Sequence, residues 1–121
     1  GGLVIDPASV FLGAFFDFNN DLWPDNHTIV DRFLGNRLFV NNEGSFTDIT
    51  EEYGFSFPEN DIMSNSISDY DNDGYLDIFM TNNGAANTST HLLKNNQGES
   101  FSDVTSIAGV EVFEFGWGAI W

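Results

Sequence analysis

Two stretches of this chain carry oxygen-bearing side chains at the alternate spacing by which a short loop wraps a hard cation. The stretch Asp69-Tyr70-Asp71-Asn72-Asp73-Gly74-Tyr75-Leu76-Asp77 reads D-x-D-x-D-G-x-x-D. Ca²⁺ takes about six to eight oxygens at about 2.3 to 2.6 Å. Asp69, Asp71 and Asp73 at positions 1, 3 and 5 of a curled loop aim carboxylates inward. Gly74 permits the sharp reversal, and the Tyr75 carbonyl with the Asp77 carboxylate closes the shell. Carboxylates packed this closely repel one another unless a cation lies between them. An EF-hand needs a bidentate Glu at position 12. That position here is Met80, and the flanks lack helical periodicity. The apolar Ile78-Phe79-Met80 predicts a strand after the loop.

A second, weaker version is Asp17-Phe18-Asn19-Asn20-Asp21-Leu22-Trp23-Pro24-Asp25. Side-chain oxygens stand at Asp17, Asn19, Asp21 and Asp25, with the Trp23 carbonyl in the place of the Tyr75 carbonyl. Asn19 replaces one charge by a neutral amide, and Leu22 stands where a left-handed turn favours Gly. This loop is expected to bind more weakly or to be shifted, so Asp73→Ala should harm binding more than Asp21→Ala. The alternative for both loops is a solvated Asp/Asn-rich turn.

The elements that position these loops follow from composition and from an internal repeat. The chain has 121 residues, no cysteine, and 3 Lys+Arg against 19 Asp+Glu, a formal net charge of −16. A surface this negative repels phosphate backbones and anionic headgroups, which excludes nucleic acid and peripheral membrane binding and favours metal cations. Aromatics are 16% of the residues, 13 of them Phe, which is too much apolar surface for an acidic disordered tail. The chain should fold. No apolar run approaches the roughly 18 to 20 residues of a membrane helix, and no signal-peptide pattern opens the chain. The absence of cysteine rules out disulfides and thiolate metal sites.

Shifting the front of the chain by 52 places Asp17 on Asp69, Asn20 on Asn72, Asp21 on Asp73 and Asp25 on Asp77. With two residues added before His91 and one at Glu99, Arg37 to Phe55 matches His91 to Val110 with nine identities, among them Asn41/Asn95, Gly44/Gly98, Asp48/Asp103, Thr50/Thr105 and Gly54/Gly109. A third unit opens at the end, where Gly118-Ala119-Ile120-Trp121 matches Gly13-Ala14-Phe15-Phe16. The units run about 2–53 and 54–108, with the start of a third over 109–121. Both ends fall mid-unit, and Gly1 stands where an initiator Met would, so an excerpt or a processed product is expected.

Within each unit, short apolar or β-branched runs are separated by Asn/Asp/Gly clusters, and no longer window keeps a helical period. Strands are predicted at Phe11 to Phe16, Arg37 to Val40, Leu76 to Thr81 and Phe101 to Thr105, with hairpin turns at Asn41 to Gly44 and Asn95 to Gly98. Four strands in about 52 to 55 residues is the size of a propeller blade. The expected fold is all-β: two four-stranded antiparallel blades plus a partial third, a segment of a β-propeller.

The order of acidic loop, apolar strand and then NRLFVNNEGSFTDITEEYGF resembles the FG-GAP/VCBS repeat of integrin-α-like β-propellers, particularly its acidic ASPIC-type subgroup. That resemblance implies Ca²⁺ in the loop joining the first two strands of each blade, an extracellular or cell-surface setting, and adhesion or recognition without catalysis. It places Asp69, Asp71, Asp73, Asp77 and the Tyr75 carbonyl on one ion. Asp17, Asn19, Asp21, Asp25 and the Trp23 carbonyl fall on another. Leu22 in place of Gly, and Asn26-His27-Thr28 in place of an apolar strand start, depart from the pattern. A closed propeller needs about four to eight blades, so neighbouring blades are expected from the same longer chain or from other copies, as a ring or a filament.

Asn26 and Asn87 head N-glycosylation patterns, at a frequency that chance in so Asn- and Ser/Thr-rich a chain accounts for. His27 and His91 do not recur between the units and are read as exposed or strand-packed. No G-x-S-x-G, P-loop, H-E-x-x-H or dinucleotide fingerprint is present, so an enzyme is not expected. Trp23, Trp117 and Trp121 are expected to pack between blades. The rival use of these residues is stacking on a sugar in a lectin-like propeller.

Overall fold

A computed structural model describes residues 10–30, 36–57, 62–82, 89–112 and 118. Among the described residues, eight strands form two four-stranded antiparallel sheets in simple up-and-down order, β1-β2-β3-β4 and β5-β6-β7-β8. The first sheet comprises β1 (Val10–Phe16), β2 (Asp25–Val30), β3 (Asn36–Asn42) and β4 (Ser45–Asp48). The second comprises β5 (Ile62–Ser68), β6 (Asp77–Asn82), β7 (His91–Asn95) and β8 (Phe101–Asp103). The all-β, blade-like expectation holds, without ring closure in this length of chain. Gly1 to Leu3, Ala119 to Trp121, Trp117 and Asn87 lie outside the described residues.

The repeat is visible in the backbone. Each acidic loop joins the first two strands of its sheet, between the pairs Phe16↔Asp25 and Ser68↔Asp77. The first strand of each sheet carries a register irregularity at the same place, between Val10 and Leu12 and between Ile62 and Ser64. Asn42 pairs with Ser45 around a two-residue turn in which Glu43 (φ 54°) and Gly44 (φ 94°) both take left-handed backbone. That is the twist a tight antiparallel hairpin requires. In the second unit the residue inserted at Glu99 widens this turn, which Asn96 N–H closes on the Ser100 carbonyl at 2.8 Å.

One strand expectation is corrected. Phe101 to Thr105 is not a single strand, because β8 ends at Asp103 and a one-turn helix, α1 (Thr105–Ala108), follows. Asp103 Oδ1 accepts from both the backbone N–H (3.1 Å) and the hydroxyl of Thr105, which turns the chain out of the sheet. Asp48 does the same to Thr50, at 3.0 and 2.5 Å.

An apolar cluster runs through both sheets and includes Phe16, Phe18, Ile29, Leu38, Phe55, Ile78, Met80, Leu93 and Phe101. Phe18, the second residue of the first acidic loop, is fully buried and meets Tyr53 and Phe101 with ring centroids 5.7 Å away in each case. Phe55 stands edge-on to Phe101 at 4.7 Å. Aromatic side chains therefore join one sheet to the other, and the first acidic loop is anchored in that joint. The backbone crosses the same joint, with Phe101 N–H donating to the Tyr53 carbonyl at 2.9 Å. A Cβ at Gly54 would sit 2.8 Å from the Phe101 carbonyl oxygen, so this contact demands glycine.

The polar start of β2 is buried, with Asn26 4%, His27 0% and Thr28 3% exposed. His27 bridges the sheets: Nε2 meets Asn36 Nδ2 at 3.0 Å, Nδ1 meets Asn65 Nδ2 at 2.8 Å, and the ring lies against Phe55. A neutral imidazole donates from one nitrogen and accepts at the other. Turning the Asn36 amide over would let Oδ1, which has no partner, accept from Nε2–H while Nδ1 accepts from Asn65. Burial pushes the His27 pKa down to about 3. Between about 6.5 and 3 the unfolded chain takes up a proton that the folded imidazole refuses, so this residue withdraws stability as pH falls through that window. The His27 ring resonances should stay those of a neutral imidazole at pH 5, and a normal titration there would contradict the bridge.

Candidate metal centre

In the second loop, two backbone N–H groups fold back onto its first carboxylate. Asp73 N–H donates to Asp69 Oδ1 at 3.0 Å and Gly74 N–H to Asp69 Oδ2 at 2.8 Å, while Tyr75 N–H donates to Asp73 Oδ1 at 3.0 Å. Left-handed backbone at Asn72 (φ 59°) and Gly74 (φ 93°) makes that curl. The curl brings Asp69, Asp71, Asp73 and Asp77 together, each offering one oxygen within 4.8 Å of the others. Four carboxylates in one concave loop are a hard oxygen set, and they fit a hard divalent cation.

The first loop has the same backbone. Asp21 N–H donates to Asp17 Oδ1 at 3.1 Å, Leu22 N–H to Asp17 Oδ2 at 2.8 Å, and Trp23 N–H to Asp21 Oδ1 at 2.9 Å. Asn20 (φ 59°) and Leu22 (φ 73°) take the turns of Asn72 and Gly74. Leu22 therefore leaves the loop path unshifted and carries the strain itself, with its side chain 90% exposed. Among the described residues, however, Asp17, Asp21 and Asp25 do not form a second converged acidic group. The neutral Asn19 stands where the second loop has the carboxylate of Asp71.

The ninth position of each loop is the first residue of the next strand and is fully buried. Asp25 accepts from Phe18 N–H (3.1 Å) and Asn41 N–H (2.8 Å), and Asp77 from Tyr70 N–H (3.1 Å) and Asn95 N–H (2.7 Å). Desolvation pushes the Asp25 pKa up to about 6, against the pull of those two N–H donors. Asp77 is also raised, chiefly by burial. Asp73 is lowered, first by the Tyr75 N–H and then by Lys94. A buried carboxylate that resists ionisation gains most from a neighbouring dication.

Asn41 and Asn95, read from sequence only as turn residues, hold each loop against its sheet. Asn41 Nδ2 donates to the Pro24 carbonyl at 2.8 Å and its Oδ1 accepts from Gly44 N–H at 2.7 Å. Asn95 repeats this with Leu76 (3.0 Å) and Gly98 (2.7 Å), and also donates to the Phe18 carbonyl of the first loop at 2.7 Å. The loops touch directly as well, through Asn20 Nδ2 and the Gly74 carbonyl at 3.1 Å. Their identity between the repeats was the signal that they do more than turn the chain.

His91 is not an isolated histidine. It occupies the place of Arg37, and Nδ1 lies 2.8 Å from Asp103 Oδ2 where Arg37 faces Asp48 at 3.9 Å. Lys94, unremarked in the sequence, binds both Asp71 and Asp73 through its ammonium, the latter at 3.2 Å. Trp23 stands outside the apolar cluster that joins these two sheets. It is 42% exposed and lines an open groove with Asp21, Asn42 and Glu43. Asn26 is turned inward, its amide 3.4 Å from the Ala14 carbonyl and its Oδ1 accepting from the Thr28 hydroxyl. Among the described residues no helix is long and apolar enough to cross a membrane.

Sheets of four antiparallel strands, each with an acidic loop between its first two strands and joined through aromatic packing, define a β-repeat protein of the propeller-blade type. The chain belongs to the FG-GAP-like repeat family, whose sequence profile matches residues 17–80, from the first residue of the first loop to the strand after the second. No match was found among curated proteins or solved structures.

Proposed function

We propose that the chain is a calcium-binding, non-catalytic propeller module that works outside the cell or at its surface in adhesion, recognition or structural assembly. One observation carries the metal reading: the convergence of Asp69, Asp71, Asp73 and Asp77 on one point. The Tyr75 carbonyl would complete that set, and Asp17, Asn19, Asp21, Asp25 and the Trp23 carbonyl would make a weaker second set. The ion, when bound, supplies the positive charge that lets these carboxylates share one small volume. The family and the net charge of −16 support an extracellular setting, where millimolar Ca²⁺ suits open loop sites of about 10⁻⁴ to 10⁻³ M affinity. Further blades, from the same longer chain or from other copies, would cover apolar side chains such as Phe15, which is 68% exposed.

The test is terbium luminescence sensitised by Tyr75 and Trp23. The expected result is an emission that Ca²⁺ displaces at sub-millimolar to millimolar concentration and that Asp73→Ala weakens more than Asp21→Ala. No emission, or emission that Ca²⁺ leaves unchanged, would contradict it. The exposed Trp23 beside polar groups favours a carbohydrate-binding propeller as the second reading. Binding on a glycan array that disappears with Trp23→Ala would support that reading, and no binding would reject it.

A further inference from the structure

We propose that Lys94 is a tethered cation that sits on the second acidic loop until a divalent ion displaces it, so that this one side chain sets the metal affinity of that loop. The inference rests on the calcium reading of the loop. The Lys94 ammonium contacts Asp71 Oδ2, and Asp73 Oδ2 at 3.2 Å. These are two of the four carboxylates that converge. Its Nζ also lies over the Tyr70 ring, 5.9 Å from the centroid. Lys94 is one of only three Lys and Arg residues in a chain with a net charge of −16, and it sits over the converged acidic cluster found among the described residues.

An ammonium is a compact point charge with three donors. It can neutralise part of the loop, but a dication at the same carboxylates meets it as a like charge at close range. The two occupants are therefore antagonists. With Lys94 in place part of the charge of the loop is neutralised without metal. For the metal to enter, the side chain must swing away.

The other loop provides the comparison. Asn41 and Asn95 occupy equivalent places, so the residue one step before each is Val40 in the first sheet and Lys94 in the second. The loops share their backbone turns and their N–H bonds to the first carboxylate, but among the described residues a cation sits on the second alone. This difference opposes the advantage that Gly74 and a fourth carboxylate give the second loop.

The experiment compares the full chain with Lys94→Met, which keeps a long unbranched side chain and removes the charge, and with Lys94→Arg, which keeps the charge. All three carry Asp21→Ala to weaken the first loop. Calcium affinity is read by calorimetry, and thermal melting is read in EDTA. Lys94→Met should bind Ca²⁺ about threefold to tenfold more tightly and melt lower without metal, while Lys94→Arg stays within about twofold of the parent. Calcium binding unchanged or weakened in Lys94→Met would overturn the displacement role and leave the metal site standing. If none of the three binds Ca²⁺, the metal reading fails and the displacement role with it. The melt in EDTA would then report only whether Lys94 neutralises the loop.

Discussion

Asn95→Ala should destabilise the chain by about 3 to 5 kcal/mol, the largest loss expected from any single side-chain truncation at the site. The Asn95 amide leaves three partners behind when removed: the Phe18 and Leu76 carbonyls and the Gly98 N–H. The residue is fully buried, so water does not replace these bonds without opening the joint. Truncation would loosen the second loop, the β7–β8 hairpin and the seat of the first loop together. A Cβ at Gly98 would lie 2.8 Å from the Asn19 Cα, which shows how closely that hairpin sits on the first loop.

Asn41→Ala supplies the control. It removes the same bonds within the first sheet, to Pro24 and Gly44, and Asn41 has no counterpart to the Phe18 bond among the described residues. Its cost should be smaller, about 2 to 3 kcal/mol. Denaturant midpoints at fixed Ca²⁺ concentration would measure both. An Asn95→Ala loss no greater than that of Asn41→Ala would mean that the bond between the sheets contributes nothing.

The sequence made the loops legible because their chemistry is local. Alternating carboxylates and a residue that tolerates a left-handed turn specify a curl within nine positions, and the curl is present even where Leu22 replaces Gly. The strands were legible because the repeat allowed one unit to confirm the other. Sequence periodicity could not tell where the last strand ends, since Asp103 and Thr105 read as strand positions until one side chain captures the backbone of the other.

What was hidden depends on distance along the chain. Asn95 reaches Phe18 across 77 positions, and His27 reaches Asn65 across 38. No local pattern marks such pairs. His27 broke the family pattern because a buried polar bridge between sheets stands where an apolar residue was expected. Lys94 is a single basic residue in a strand and becomes conspicuous only once the loop is curled beneath it. The place of Trp23 beside the loop, facing an open groove, depends on the curl and is not given by residue type alone.

Calcium removal should have the other large effect. A ligand that binds only the folded chain stabilises it by about 2.7 kcal/mol at a hundredfold excess over Kd. For a domain of this size that corresponds to a shift of about 10 °C in Tm. The buried Asp25 and Asp77 add to the contrast, because without a dication their ionised forms are held only by backbone N–H groups and burial raises both pKa values. Thermal melting of the full chain in EDTA and in 10 mM Ca²⁺ is thus the most direct test of the central claim. A Tm higher by about 10 °C with Ca²⁺, and mostly lost in Asp73→Ala, is predicted. Superimposable melts in the two solutions would contradict it.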